Sequence, residues 1–203
     1  MPHAWSWEII LVLVVLGVLV LNPGPSEVVP MPVTGKKIAI LVEDLYQDLE
    51  VWYPLLRLRE AGAAPVTIGP VKKEFKGKNG YPITVDIGIS EVAAKDFDGL
   101  VIPGGYAPDR IRLHEPMIRF VREIGKAGKP IAAICHAGWV LCSTPELIRG
   151  KTVTSYVAIK DDLVNAGAKW IDAEVYVDGN LVTSRKPDDL PAFLREFLKL
   201  LNH

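Results

Sequence analysis

The segment of residues 128–142 constrains the fold of this chain more than any other stretch. Within it, residues 130–134 form a short, uninterrupted apolar run after Gly128 and Lys129, which is typical of a central strand buried on both faces of a parallel sheet. Small residues and then apolar residues follow Cys135, and they favour a helix that packs closely against the strand. The chain is therefore predicted to turn sharply at Cys135.

Such a strand-to-helix elbow predicts a reactive side chain at Cys135. An elbow holds its side chain out at the carboxyl end of the sheet, and backbone N–H groups at the helix start face the group that it attacks. The positive end of the helix dipole predicts an unusually acidic thiol there. Cys142, about two turns into the same helix, is expected to be an ordinary packed thiol. The competing interpretation of Cys135 is a small buried core residue.

Predicted strands and helices alternate through the first two thirds of the chain, which indicates an α/β fold. We expect a doubly wound, mostly parallel sheet sandwiched by helices, with an antiparallel appendage. The predicted strands are 38–42, 64–68, 99–102, 130–134 and 152–154, with a hairpin over 174–184. The predicted helices are 48–61, 115–127, 135–142, 160–165 and 187–201.

Chemically useful residues follow three of these strands. Glu43 and Asp44 end the first, with Glu50 one helical turn further on, and the Gly-Gly pair at 104–105 ends another, while Cys135 ends the strand of the elbow. Because ligands bind outside the carboxyl ends of strands in open α/β sheets, we expect these residues to line one crevice.

Two interactions are expected within that crevice. Gly104 and Gly105 let the backbone approach a bound carbonyl, so that an N–H group points at a developing oxyanion beside the N–H group of His136. Glu50 next to a Cys135 thiolate would share one proton with it, because two anions a few ångströms apart are costly. The alternatives are an ordinary turn for the glycines and a solvated surface carboxylate for Glu50.

Composition excludes several classes of function. At 203 residues with 49% hydrophobic content, the chain suits one domain with a substantial core. A net charge of −1 argues against general attraction to nucleic acid or anionic lipid. With Cys135 and Cys142 as the only cysteines, we expect no disulfide framework, no four-cysteine zinc site, no other metal site and no cofactor, in a reducing, cytoplasmic compartment.

Residues 1–35 differ from the rest, and three interpretations of them stay open. Residues 9–21 form an apolar run that spans roughly 20 Å as a helix, short of the roughly 30 Å hydrocarbon core of a bilayer. Extended back to Ala4, residues 4–21 suit a single membrane anchor, with Lys36 and Lys37 keeping the following domain cytoplasmic. Alternatively, Met31 is the natural start, or the run is a signal peptide, although no basic residue precedes it. The Pro-rich stretch at 23–32 is interpreted as a linker, and a domain over 36–203 is expected in each case.

Five segments of the chain occur in an order that is typical of one protein family. They are Val-Ile-Pro-Gly-Gly at 101–105, Ala-Ala-Ile-Cys-His at 132–136, Thr-Ser-Tyr-Val-Ala-Ile-Lys-Asp-Asp at 154–162, Asn-Ala-Gly at 165–167 and Thr-Ser-Arg-Lys-Pro-Asp-Asp-Leu at 183–190. These segments resemble the PfpI-type members of the ThiJ/PfpI superfamily, and the resemblance covers about residues 37–201. It implies a flavodoxin-like sandwich related to class I glutamine amidotransferases, assembled as a homo-oligomer, either dimer or hexamer.

The resemblance also implies roles for single residues. It implies Cys135 as nucleophile, His136 as the neighbouring base, Glu50 as the carboxylate that touches the thiol, and Gly105 as an oxyanion donor. Asp109 falls where the family has a Glu that completes a Cys-His-acid triad, in some members from the adjacent subunit. The side chain of Asp109 is one methylene shorter than that of the family's Glu, so it has less reach towards His136.

The activity that the resemblance implies is cysteine chemistry on a small carbonyl, a glycated protein or a peptide. Related proteins are described as intracellular proteases, as glyoxalases that do not use glutathione, and as deglycases. In each case the thiolate attacks an electrophilic carbon while neighbouring groups move protons. The alternative is a redox-sensing or stress-protective module, since an acidic, accessible Cys135 is also what peroxide oxidises first.

Overall fold

A computed structural model describes residues 32–203. The interpretations of the apolar run and of most of the linker fall on residues 1–31 and lie outside the described residues. The strands are β1 (Lys37–Leu41), β2 (Ala64–Gly69), β3 (Glu74–Lys76), β4 (Pro82–Thr84), β5 (Ile87–Gly88), β6 (Gly99–Ile102), β7 (Ile131–Ile134), β8 (Thr152–Val153), β9 (Lys169–Trp170), β10 (Val175–Asp178) and β11 (Leu181–Ser184). The α-helices are α1 (Asp48–Glu60), α2 (Ala107–Ile111), α3 (Glu115–Lys126), α4 (Gly138–Cys142), α5 (Lys160–Asn165) and α6 (Leu190–Leu201).

The central sheet has seven strands in the order β10-β11-β7-β6-β1-β2-β5. All neighbours pair in parallel except β10, which joins the edge as an antiparallel hairpin with β11. The prediction of a mostly parallel sheet with an antiparallel appendage is confirmed. Two small ladders lie outside this sheet, the antiparallel pair β3-β4 and the parallel pair β8-β9.

The order of the strands reverses at β1, and this reversal places the crevice. The chain moves from β1 to β2 in one direction and from β6 to β7 in the other. Because parallel crossovers are right-handed, α1 covers one face of the sheet and α3 covers the opposite face. The loops that follow the carboxyl ends of β1 and β6 therefore diverge and form the crevice. The chain is a flavodoxin-like α/β sandwich, as predicted.

The three innermost strands are apolar because helices cover both of their faces. Every residue of β6 and of β7 is buried, and in β1 only Lys37 is partly exposed. On one face, α6 packs against β11, β7 and α1 with Phe193 and Phe197 fully buried. Strands of this composition form a rigid platform for the loops at their carboxyl ends.

The largest departure from the predicted elements is the segment after β7. In place of one helix over 135–142, a 3₁₀ turn (Cys135–Ala137) precedes the five-residue helix α4. Gly138 explains the close approach, since a Cβ there would lie 2.8 Å from Ile159 Cδ1. The segment is therefore a tight elbow followed by barely more than one helical turn.

The folded unit begins before residue 36, the predicted boundary. Val33 is only 2% exposed, and its N–H group donates to the Ala61 carbonyl at 2.9 Å. The N–H group of Gly35 donates to the Gly62 carbonyl at 3.3 Å. Residues 33–35 thus line the end of α1 and belong to the domain.

Among residues 32–203, no helix is both long and apolar enough to span a bilayer.

Two truncated chains test this boundary. A chain that begins at Met31 is expected to melt cooperatively and to retain its activity, because every strand that the structure describes over 32–203 begins at Lys37 or later. A chain that begins at Lys36 loses the burial of Val33, which costs about 1.5–3 kcal/mol, and is expected to unfold at lower urea. Equal urea midpoints for the two chains would show that residues 31–35 contribute nothing, and an insoluble chain from Met31 would place part of the core upstream.

Candidate active site

Cys135 adopts a backbone conformation that non-glycine residues rarely adopt. Its φ is +63°, directly after the extended Ile134 at the end of β7. Left-handed φ values cost free energy in residues with a Cβ and are concentrated at functional sites. Here the conformation turns the side chain out of the sheet, as expected of a nucleophile elbow.

Gly104 makes room for this elbow. A Cβ at Gly104 would lie 2.7 Å from the Cβ of Cys135, 2.7 Å from Oε2 of Glu50 and 2.9 Å from the backbone nitrogen of His136. Its own N–H group donates to Oε2 of Glu50 at 2.7 Å. The position therefore requires glycine because three parts of the site meet there.

Gly105 joins the loop after β6 to the loop after β1. Its φ is +80°, and it forms an isolated antiparallel bridge with Tyr46. The N–H group of Gln47 donates to the Gly104 carbonyl at 3.1 Å, and that of Tyr106 donates to the Leu45 carbonyl at 2.9 Å. This bridge holds the N–H group of Gly105 towards the sulfur of Cys135, where the N–H group of His136 also points.

Glu50 is a fully buried carboxyl group in the first turn of α1. The helix start is fixed by Gln47, whose side-chain Oε1 accepts from the Glu50 N–H group at 2.9 Å. While Oε2 accepts from Gly104, Oε1 is buried and has no hydrogen-bonding partner among residues 32–203. The carboxyl group adjoins the thiol of Cys135. An unpaired buried carboxylate oxygen is costly, so the arrangement favours a protonated carboxyl group.

Burial governs the protonation of this pair. It raises the pKa of Glu50 to about 8, even though the Gly104 N–H group, the Cys135 thiol and the charge of Lys78 each lower that pKa. Burial also raises the pKa of Cys135, and an ionised Glu50 raises it further, against the lowering effect of the Gly105 and His136 N–H groups. At neutral pH Glu50 therefore holds its proton, so that no carboxylate anion lies next to the sulfur of Cys135.

The prediction that the Cys135 thiol is unusually acidic is wrong. The prediction relied on a helix dipole, but α4 has only five residues and begins three residues after Cys135. Burial of the sulfur outweighs so short a dipole. Cys142 ends α4, is half-buried, and has its pKa raised to about 11, first by burial and then by the charge of Asp162.

His136 lies within reach of the thiol. Its Nδ1 is 3.3 Å from the sulfur of Cys135. The imidazole stacks on Tyr156 with ring centroids 4.9 Å apart, and Trp139 packs against it at 5.1 Å. Burial, and secondarily the charge of Lys78, lowers the pKa of His136. The ring is thus neutral at neutral pH and able to accept a proton.

Three other acidic residues near this edge of the sheet make no hydrogen bond to Cys135 or His136. Asp109 is exposed in the first turn of α2 and makes no hydrogen bond to His136 within the described part of this chain. The expectation that Glu43 and Asp44 share the crevice is wrong. Glu43 accepts from the backbone of Asp44 at 2.8 Å and lies 3.0 Å from Nε2 of His114, while Asp44 accepts from the N–H group of Lys76 at 2.9 Å.

A cavity of about 340 Å³ opens onto Cys135 and His136. Several of its lining residues were not singled out as site residues in the sequence. Tyr156 lies within a segment that carried the resemblance, and Lys78 lies in the turn between β3 and β4. The remaining lining residues are Gln47, Gly105, Tyr106, Lys186 and Pro187.

The substitution Glu50→Gln tests the protonation of the buried carboxyl group. The pKa of Glu50 is about 8 in the folded chain and about 4.3 in an unfolded chain. The folded state therefore binds the proton more tightly, and its stability falls as pH rises from about 4.3 to about 8. Because the glutamine side chain of the variant cannot ionise, the variant should become progressively more stable relative to the wild type over this range.

Urea unfolding of both proteins at about pH 5 and about pH 8.5 measures this difference, with the exposed pair Glu123 and Glu123→Gln as the control. A difference in stability that stays constant with pH would mean that Glu50 ionises as easily in the folded chain as in the unfolded one.

Comparison with known proteins identifies the family. The DJ-1/PfpI family model matches residues 36–200. Deglycase PfpI of Pyrococcus furiosus is 46% identical over 165 residues, which are 81% of this chain and 99% of that protein. Protein/nucleic acid deglycase 2 of Escherichia coli is 45% identical over 170 residues, 82% of this chain and 98% of that protein.

A solved structure agrees with these matches. A two-domain protein of Anabaena variabilis, with DJ-1/ThiJ/PfpI-like and ferritin-like domains, superposes with a TM-score of 0.80 at 42% identity, over 83% of this chain and 48% of that one. The resemblance found in the sequence is thus confirmed by family model, by curated relatives and by fold. The chain belongs to the DJ-1/PfpI family.

Proposed function

We propose that this protein is a cysteine-dependent enzyme that acts on reactive carbonyl compounds and on their adducts with amines, as a deglycase and as a glyoxalase that needs no glutathione. The observation that carries the proposal is the meeting of three groups at one cavity. They are the Cys135 thiol, the neutral His136 at 3.3 Å, and the N–H groups of Gly105 and His136 directed at the sulfur. The names of relatives at 45–46% identity support deglycation in particular.

The first step would transfer the carbonyl compound from the amine to the enzyme. As the sulfur attacks the carbon that carries the amine, the thiol proton passes to Nδ1 of His136, which removes the need for an acidic thiol. The C–N bond breaks, and the imidazolium returns its proton to the leaving amine. The product is a hemithioacetal on Cys135, and the amine is released intact.

The second step would convert the bound 2-oxoaldehyde into a 2-hydroxy acid. A proton moves from C1 to C2 through His136, and the proton of the C1 hydroxyl group passes to the C2 oxygen. The resulting thioester on Cys135 is hydrolysed by water. The N–H groups of Gly105 and His136 stabilise the oxyanion of that hydrolysis.

The size of the cavity favours small substrates over polypeptides. About 340 Å³ lies at the lower end of the range for ligand pockets. A chain of amino acids bound for cleavage needs an extended groove on both sides of the scissile bond. The cavity instead suits one small carbonyl compound whose amine partner projects to solvent, which favours deglycation over the protease activity suggested by the resemblance.

Lactate release from methylglyoxal, with glutathione omitted, tests the activity. We expect Cys135→Ser to abolish turnover, because a serine hydroxyl is far less nucleophilic and the nearby base is weak. Cys142→Ser is the matched control and should retain activity, since Cys142 does not line the cavity. Full turnover by Cys135→Ser, or loss of activity in both variants, would refute the assignment of the nucleophile.

The same lactate assay, run together with release of free amine from the methylglyoxal adduct of an amine, also separates the enzyme from a redox sensor. A sensor would show peroxide oxidation of Cys135 with no lactate from methylglyoxal and no amine from the adduct, whereas the proposal requires both products.

A pair of alanine variants tests the contribution of Asp109. His136→Ala should lower kcat by about 10²–10⁴-fold, the range for loss of a general base. Asp109→Ala should cost much less, because this exposed side chain makes no hydrogen bond to His136 within the described part of the chain. Equal losses in the two variants, with the assembly intact by sedimentation, would show that Asp109 supports the imidazole across a subunit boundary.

A further inference from the structure

Lys78 is presented to the cavity by an ordered turn between β3 and β4. Its own N–H group donates to the Tyr46 carbonyl at 2.8 Å. The turn is held from below by the buried Asp48, which accepts from the N–H groups of Asn79 at 3.1 Å and Tyr81 at 3.2 Å. The close packing of Gly77 against the same carboxylate leaves no room for a Cβ. The backbone that carries Lys78 is therefore fixed.

The ammonium group of Lys78 has no acidic partner within the described part of the chain. Lys73, just before β3, pairs with Asp44 at 3.7 Å, but Lys78 makes no such ion pair among residues 32–203. Lys186 also lines the cavity, and its one partner among residues 32–203 is Asp188 at 3.1 Å, whose side chain is 81% exposed. A pair this exposed is weak and easily replaced.

Of the residues that the structure describes, no Asp or Glu side chain lines the cavity to balance these two cations. Glu50 lies behind Cys135 and holds its proton at neutral pH, and His136 is neutral there. The charge of Lys78 nevertheless acts on both groups, lowering the pKa of each, so it is felt at the reacting centre. The cavity therefore has an uncompensated positive charge at neutral pH.

We propose that the cavity selects carbonyl compounds that carry a negatively charged group, a carboxylate or a phosphate, and that Lys78 is the residue that binds this group, assisted by Lys186. A charge-assisted hydrogen bond from an ammonium group stabilises such an anion more than a neutral substituent. A neutral compound of the same size leaves Lys78 in water and gains nothing from it. The proposal rests on the function proposed above for its substrate class, but its test does not.

Alkylation of Cys135 by two reagents of nearly equal size measures anion binding without any turnover. Iodoacetate carries a carboxylate, and iodoacetamide carries a neutral amide in its place. The ratio of their rate constants cancels any change in the ionisation of the thiol, because both react with the same thiolate. Using Cys142→Ser as the background leaves Cys135 as the only thiol.

We expect the iodoacetate to iodoacetamide ratio to exceed that of glutathione, and Lys78→Met to lower it about threefold to tenfold, the effect of about one ordinary hydrogen bond, because the Lys78 side chain is exposed to water. Lys78→Arg should retain most of the preference. Lys76→Met is the matched control, because Lys76 belongs to the same hairpin but does not line the cavity, and it should leave the ratio unchanged.

Three results would overturn the proposal: a wild-type ratio no higher than that of glutathione, an equal loss in Lys76→Met and Lys78→Met, or a loss in Lys186→Met alone. The first would mean that the cavity does not favour anions, the second that only the general field of the hairpin acts, and the third that the binding residue is Lys186. A raised ratio without lactate release would refute the proposed activity and keep the anion site.

Discussion

The contact between the Glu50 carboxyl group and the Cys135 thiol is the constraint on which the rest of the site depends. Both groups are nearly cut off from water, so they cannot both carry a negative charge at an acceptable cost. The hydrogen bond from Gly104 fixes one carboxyl oxygen and leaves the other without a partner among residues 32–203, which favours keeping a proton there. The proposed chemistry depends on this protonation, because a neutral Glu50 places no anion beside the sulfur and a neutral His136 can accept the thiol proton.

The fold makes this contact possible by bringing three strand ends together. The reversal of strand order at β1 separates the loops after β1 and β6, and the Tyr46–Gly105 bridge then ties these loops to each other. The strained φ of Cys135 is retained because buried strands surround it in the sheet. The floor of this site is built on buried strands, while the specificity that we propose for it depends on the hairpin and the loop that carry Lys78 and Lys186.

Apolar runs and glycine positions predicted most of the fold, and for physical reasons. The strands predicted at 99–102 and 130–134 agree within one residue with β6 and β7, because a strand buried on both faces has no polar residues to obscure its limits. The late start of α4 was not predictable, since residues 135–137 suit a helix and only the tertiary packing around Cys135 and Gly138 places a 3₁₀ turn there. The same limit applies to Glu43, which resembles a site residue in sequence but contacts His114. Protonation of Glu50 and the position of Lys78 depend on burial and on long-range packing, which local patterns do not contain.

The central claim is that Glu50 is protonated beside the thiol at neutral pH. Difference infrared spectroscopy between the wild type and Glu50→Gln measures this directly, since a protonated carboxyl group has a carbonyl stretch that a carboxylate lacks. The account predicts that this band is present at neutral pH, disappears as pH rises through about 8, and is absent from the variant. A wild-type spectrum without the band at neutral pH would contradict the account, because Glu50 would then be a buried anion next to Cys135.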